Sequence, residues 1–156
     1  MGQGQYKDPT QTARRVAALE LAGLPEGALV LVDSAPVIYV LERHPKFAPR
    51  FQPLFDRHAV GEISFAVTTM TIAEVLAGPF GAGEEALAKR YRATLESWQV
   101  VNLTAEIAES AARFRATLKL KLPDAIQVAS AIAVNADALV THDRDFSKVK
   151  TLAVLR

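Results

Sequence analysis

The sequence predicts an α/β fold, a three-layer α/β/α sandwich around a central parallel sheet of about five strands. Three observations predict it. From Ala28 onward, short β-branched apolar runs alternate with longer stretches of helical spacing, the pattern of strands joined by right-handed crossover helices. The first two runs, ALVLV at 28–32 and ISFAV at 63–67, are nearly all apolar, as strands covered on both faces are. The chain has 156 residues, a length that suits one domain with one self-sufficient core.

Each element follows in order. Residues 1–28 read as an N-terminal extension, and residues 29–156 as the domain. Residues 1–12 are polar and Gly/Gln-rich and are expected to fray. Residues 13–22 (ARRVAALELA) are predicted to form a short helix ended by Gly23 and Pro25, with Val16 and Leu19 one turn apart. The strand candidates are 28–32, 63–67, 98–103 (WQVVNL), 137–141 (DALVT) and 151–155 (TLAVL). Helices are predicted at 36–43, with Val37, Ile38, Val40 and Leu41 on one side, at 47–58, and at 70–77, the last closed by Gly78-Pro79. A helix at 83–96 opens with Glu84-Glu85 and carries Lys89, Arg90 and Arg92 later, in the sense of the helix dipole. Residues 105–119 place Ile107, Ala111, Phe114 and Leu118 on one face and Glu109–Arg113 as an outward i,i+4 pair. Residues 123–135 start at Pro123 and are apolar almost all round, which makes that helix central.

Composition excludes several classes. Hydrophobic residues make up 50% and charged residues 22%, which rules out a mainly disordered chain. The absence of cysteine rules out disulfide scaffolds, thiolate zinc sites, iron–sulfur clusters and cysteine nucleophiles, and fits a reducing, cytoplasmic setting. No apolar run approaches the ~20 residues of a membrane helix. The start of the chain has basic residues but no apolar stretch behind them, so it does not read as a signal peptide.

In open parallel sheets, function collects at the carboxyl ends of the strands. Asp33 directly follows the first strand in LVLVDSAPVIY, and Asp143 directly follows the fourth in ALVTHDRDF, with Asp145 two residues on. Glu74 lies in the helix after the second strand, in TTMTIAEVLAGP, and Asp124 opens the central helix, in LPDAIQVASAI. Each acid alone has an ordinary reading. Asp33 and Ser34 suit a helix cap; Asp124 beside Pro123 suits a first turn. Glu74 suits a solvated helix face, and Asp143 and Asp145 suit a turn. Together they deliver four carboxylates to one edge of the sheet. Such a cluster repels itself, and a divalent cation relieves it. All-oxygen donors favour Mg²⁺ or Mn²⁺, and ions of that kind, held with open positions, promote hydrolysis of phosphodiesters.

The pieces VDSAPVIYVLERHP, TIAEVLAGP, LPDAIQVASAI and THDRDF, taken in order, resemble PIN-domain ribonucleases, and among those the VapC toxins of type II toxin–antitoxin modules. The resemblance covers about residues 29–156. It implies RNA cleavage with Mg²⁺ or Mn²⁺. It further implies Asp33 and Asp124 as principal metal ligands, Glu74 as a ligand or an acid just outside the ligand set, and Asp143 completing the site, with Asp145 as an alternate. Ser34 stands where the family has a small hydroxyl residue, and Thr71 and Thr141 look like its hydroxyl residues near the pocket. Ala35 departs from the polar residue many relatives carry there, but no ligand is lost. The resemblance also implies a homodimer and a cognate antitoxin whose Arg- or Lys-bearing tail blocks the pocket; the extension has no counterpart in it.

The formal net charge of +1, from 18 Lys+Arg and 17 Asp+Glu, hides a partition. With four acids set aside for a cation, the remainder is basic, as an RNA substrate requires. Most of the basic residues suit solvated helix faces; Arg43 and Arg144 are the candidates for RNA contacts at the rim. No aromatic stacking platform is evident. His44 and His58, at helix ends, read as solvated, whereas His142 lies next to the proposed pocket. Two other readings compete. A receiver-like phospho-accepting switch also uses a parallel sheet and an acidic Mg²⁺ pocket, but no tandem acid pair lies near the first strand and no lysine closes the fifth. A catalytically silent PIN-like binding module is opposed by the presence of all four acids.

Overall fold

The computed structural model describes residues 19–156. Five strands, β1 (Leu29–Val32), β2 (Ser64–Thr68), β3 (Gln99–Val101), β4 (Ala138–Val140) and β5 (Ala153–Leu155), form one sheet in the order β3-β2-β1-β4-β5. Every pairing is parallel. The six helices are α1 (Ser34–Leu41), α2 (Ala48–Ala59), α3 (Thr69–Gly81), α4 (Glu85–Glu96), α5 (Ala105–Leu118) and α6 (Leu122–Ala133). A 3₁₀ turn, Arg144–Lys148, joins β4 to β5.

Alternation along the strands makes the layers. Val30, Val32, Phe65, Val67 and Val140 face one way and pack with Val37 of α1, Phe51 and Leu54 of α2, Val75 of α3 and Leu95 of α4. Leu31, Ala66, Val101 and Leu139 face the other way and pack with Ile107 and Ala111 of α5 and Ala125, Val128 and Ala129 of α6. Successive strand residues point to opposite faces, so β1, buried on both, carries no polar residue. Each fully buried Leu, Val or Phe here contributes about 1.5–3 kcal/mol. The order 3-2-1-4-5 also differs from the 2-1-3-4-5 order of flavodoxin-like folds, in which receivers are built.

Three expectations need correction. The helix over 70–77 does not stop at Gly78-Pro79 but runs to Gly81. Pro79 costs one backbone hydrogen bond, yet it is buried, and the helix gains apolar contact by continuing. The glycine that takes the left-handed conformation beyond the helix is Gly83, at φ 71°, not Gly78. The predicted helix over 13–22 falls mostly outside the described residues; its last four, 19–22, are not helical. The end of the extension is nonetheless docked. Leu19 is 5% exposed within the first core layer, with Leu21 and Leu24 packed beside it, and the Arg57 guanidinium donates to the Leu21 carbonyl at 3.2 Å. His58 is not simply solvated: it stacks on Phe65 at 4.1 Å between ring centres. His44 Nδ1 accepts from the N–H groups of Lys46 and Phe47.

Candidate metal centre

The strand order reverses between β1 and β4, and the crevice outside their carboxyl ends is where such sheets bind ligands. Asp33 and Thr141, the residues that follow these two strands, meet there. The Asp33 N–H donates to the Val140 carbonyl at 2.9 Å, which carries the β1–β4 ladder one residue further and fixes the aspartate backbone. Its side chain is held by three donors. Oδ1 accepts from the Ser34 N–H at 2.8 Å and from Gln127 Nε2 at 2.9 Å, and Oδ2 accepts from Thr141 Oγ1 at 2.8 Å. Asp33 is thus both the cap of α1 and a fixed carboxylate at the crevice.

Asp124 is placed by the opening turn of α6, where Pro123 suits the first helical positions. Its Oδ2 is buried and has no hydrogen-bond partner among the described residues. Burial raises its pKa to about 6, and the negative charges of Asp143, Asp33 and Asp145 push the same way against Lys121. The loop after β4 supplies the other acids. The Asp143 N–H donates to Thr141 Oγ1 at 3.0 Å, and Asp143 Oδ1 accepts the Asp145 N–H at 2.9 Å, capping the 3₁₀ turn. Asp124, Asp143 and Asp145 each offer one oxygen, all within 4.8 Å of one another.

Of the acids singled out in the sequence, Asp145 therefore joins Asp124 and Asp143, with Asp33 beside them. Glu74 does not belong to this group. It sits exposed on α3, one turn after Thr71, and makes no hydrogen bond or ion pair among the described residues. Thr71 is fully buried; its N–H donates to Thr68 Oγ1 at 3.0 Å. Ser34 contributes its backbone N–H to Asp33. Arg144 is exposed between Asp143 and Asp145, and Arg43 is exposed at the end of α1 with φ 53°.

Sequence reasoning missed Gln127. Its buried amide donates to both Asp33 Oδ1 and Thr71 Oγ1 at 2.9 Å, joining three elements. The signal was present: the one amide on an otherwise largely apolar helix, three residues after Asp124 and so on the same face. His142 does not enter the acid cluster. Its Nδ1 lies 2.9 Å from the Tyr39 hydroxyl, and its ring packs against Tyr39, Phe47 and Phe51. Burial, with Arg50 and Arg144 nearby, lowers its pKa.

Three carboxylates with oxygens within 4.8 Å of one another, one of them with a buried oxygen unsatisfied among the described residues, fit a hard divalent cation. The donors are all oxygen, and an unpartnered buried carboxylate oxygen is otherwise costly.

An open parallel sheet with an acid cluster at its switch point defines a class, the α/β folds that gather their ligand-binding groups at the carboxyl edge of the sheet. Within it, the PIN domain family model matches residues 30–152, and the chain belongs to that family. Its fold is similar to a toxin–antitoxin complex from Klebsiella pneumoniae, at 26% identity over 80% of this chain and 95% of that one, TM-score 0.64. It is also similar to VapBC-1 from nontypeable Haemophilus influenzae, at 20% identity over 81% and 96%, TM-score 0.64. A third similar structure is a sarcin-ricin loop cleaving VapC toxin from Mycobacterium tuberculosis, at 16% identity over 76% and 92%, TM-score 0.63. A comparison with curated proteins finds no match.

Proposed function

We propose that this protein is a divalent-metal-dependent endoribonuclease and the toxin of a toxin–antitoxin pair. The observation that carries the proposal is the buried, unpartnered Oδ2 of Asp124 beside Asp143 and Asp145. The family match and the likeness to VapC toxins support it. Asp33 and Asp124 are the principal ligands of Mg²⁺ or Mn²⁺, Asp143 completes the set, Asp145 contributes from the same turn, and Glu74 acts from the rim. When bound, the ion supplies Lewis-acid charge to the phosphodiester and acidifies a water for attack. The chain's own part is positional. Ser34, Gln127 and Thr141 hold the Asp33 carboxylate in place, and Thr141 also accepts from the Asp143 N–H, so one hydroxyl ties both strand ends together.

Arg43 and Arg144 are RNA contacts on the rim. A homodimer and an antitoxin with a cationic tail complete the reading: a guanidinium fits among carboxylates where a cation otherwise sits. The RNA it acts on is cytoplasmic in this reading. Among the described residues no helix is long and apolar enough to cross a membrane. The test is digestion of transfer and ribosomal RNA with and without EDTA. Cleavage is expected from the wild type with Mg²⁺ or Mn²⁺ only, and from neither Asp33→Asn nor Asp124→Asn. Undiminished cutting by both variants in chelator overturns the proposal.

A further inference from the structure

Beside the acid cluster lies a cavity of about 520 Å³, lined by Arg50, Arg144, Arg156, His142, Leu155 and Glu20 among others. Three arginines and one acidic side chain, Glu20, line it. Among the described residues, none of the three arginines pairs with an Asp or Glu side chain, whereas Arg57, Arg92 and Arg113 do. The arginines are held by backbone instead. The Arg50 guanidinium donates to a main-chain oxygen of Arg156, and Arg156 Nη1 reaches the Arg144 carbonyl at 3.5 Å. The Arg50 guanidinium also lies 5.8 Å from the Phe51 ring centre. Its Nε is buried and, among the described residues, donates to nothing. An apolar wall, Val154 and Leu155, lines the same cavity.

We propose that this cavity binds a phosphate group of the RNA, one that is not cut, and so sets the direction in which the strand crosses the acid cluster. The proposal rests on the nuclease reading above. Adjacency supports it. Arg144 lines the cavity, while the residues on either side of it, Asp143 and Asp145, carry the acids. Neighbouring Cα atoms are about 3.8 Å apart, so a cationic cradle and an anionic one sit side by side on a single turn. A strand whose scissile phosphate lies at the acids, with a bound cation, has a second phosphate to place, and guanidinium forks match phosphate oxygens in charge and shape. His142, held against Tyr39, gives the cavity an aromatic edge with no second negative charge.

The experiment measures binding of a short mixed-sequence oligoribonucleotide to the intact protein in EDTA, by fluorescence anisotropy across a salt series. Arg144→Ala and Arg156→Ala are compared with the wild type and with Arg113→Ala, a paired arginine on α5. Both test arginines are exposed at the surface, and thermal melts confirm that the variants fold. Each is expected to weaken binding about tenfold at low salt and to flatten the slope of log K against log salt by about 0.7, with Arg113→Ala unchanged. Oligonucleotides with a 5′-phosphate and a 5′-hydroxyl separate the two sources of phosphate. An equal loss for both assigns an internal phosphate; a loss confined to the 5′-phosphorylated strand assigns the terminal one. Wild-type affinity and slope in both variants overturn the proposal, as does equal binding of a polyglutamate peptide with the same loss in the variants. Cleavage by Asp124→Asn is assayed alongside: cleavage that persists overturns the nuclease reading, whereas its loss together with unchanged Arg144→Ala binding overturns the cavity alone.

Discussion

Gln127 Nε2 lies 2.9 Å from Asp33 Oδ1, so the middle of α6 steadies the carboxylate at the end of β1. The same nitrogen reaches Thr71 Oγ1, and the amide cannot turn over without abandoning both. Gln127→Leu keeps most of the volume and removes both donations. It is expected to cost about 1–3 kcal/mol of stability and to lower cleavage about tenfold, read from thermal melts and single-turnover rates. Wild-type rates would show that Asp33 needs no third donor.

Asp33→Asn and Asp124→Asn should part company in stability while agreeing in lost cleavage. Asp33 accepts from three donors, and an amide nitrogen in place of one oxygen faces a donor. That variant should lose about 1–3 kcal/mol in the absence of metal. Asp124 makes no such bond through Oδ2, so its amide should be neutral or stabilising. Chemical denaturation in EDTA measures both, and the reverse order would contradict a braced Asp33 and an unpartnered Asp124.

The pKa of Asp124, raised to about 6 by burial and by Asp143, Asp33 and Asp145, predicts a pH dependence. Between the unfolded value near 4 and about 6, the folded chain holds a proton that the unfolded chain has released. Metal-free stability therefore falls as pH rises through that window. After allowance for solvent screening at a partly exposed group, the change is about 1 kcal/mol. Melting curves in EDTA at both ends of the window, wild type against Asp124→Asn, isolate it: the gap between the two proteins should widen with pH. Divalent metal should then raise the wild-type Tm more above the window than below it.

Asp145 and Glu74 can be ranked. Asp145 shares the three-acid cluster, and Glu74 is exposed outside it. Asp145→Asn should weaken Mn²⁺ binding by calorimetry more than Glu74→Gln does. Equal effects would place Glu74 in the ligand set on the same footing.

Leu19 is 5% exposed in the core, so Leu19→Ala should cost about 2–3 kcal/mol in chemical denaturation, far more than a loose extension would lose.

The fold was legible because its periodicities are strong. ALVLV admits little but a strand buried on both faces, and Glu109–Arg113 forms its predicted pair at 2.7 Å. Acids at strand ends were legible for the same reason, since a strand that stops at an aspartate announces where the sheet's edge lies. Other features depended on tertiary context. Gly78-Pro79 reads as a stop, yet burial of Pro79 overrides local propensity. The weight of Asp145 against Glu74 depended on how a 3₁₀ turn folds back, which spacing does not encode. Gln127 stayed hidden because one amide on an apolar helix acquires meaning only once Asp33 and Thr71 are known to lie against it.

The place of β4 has a consequence for biosynthesis. It pairs with β1 on one side and β5 on the other, and the hydroxyl that grips Asp33 comes from the residue just after it. A nascent chain that has not yet emerged past this strand has no third or fourth acid to gather and no partner for the open flank of β1. If the finished protein cuts RNA, the ribosome making it is spared until nearly the whole domain has been translated.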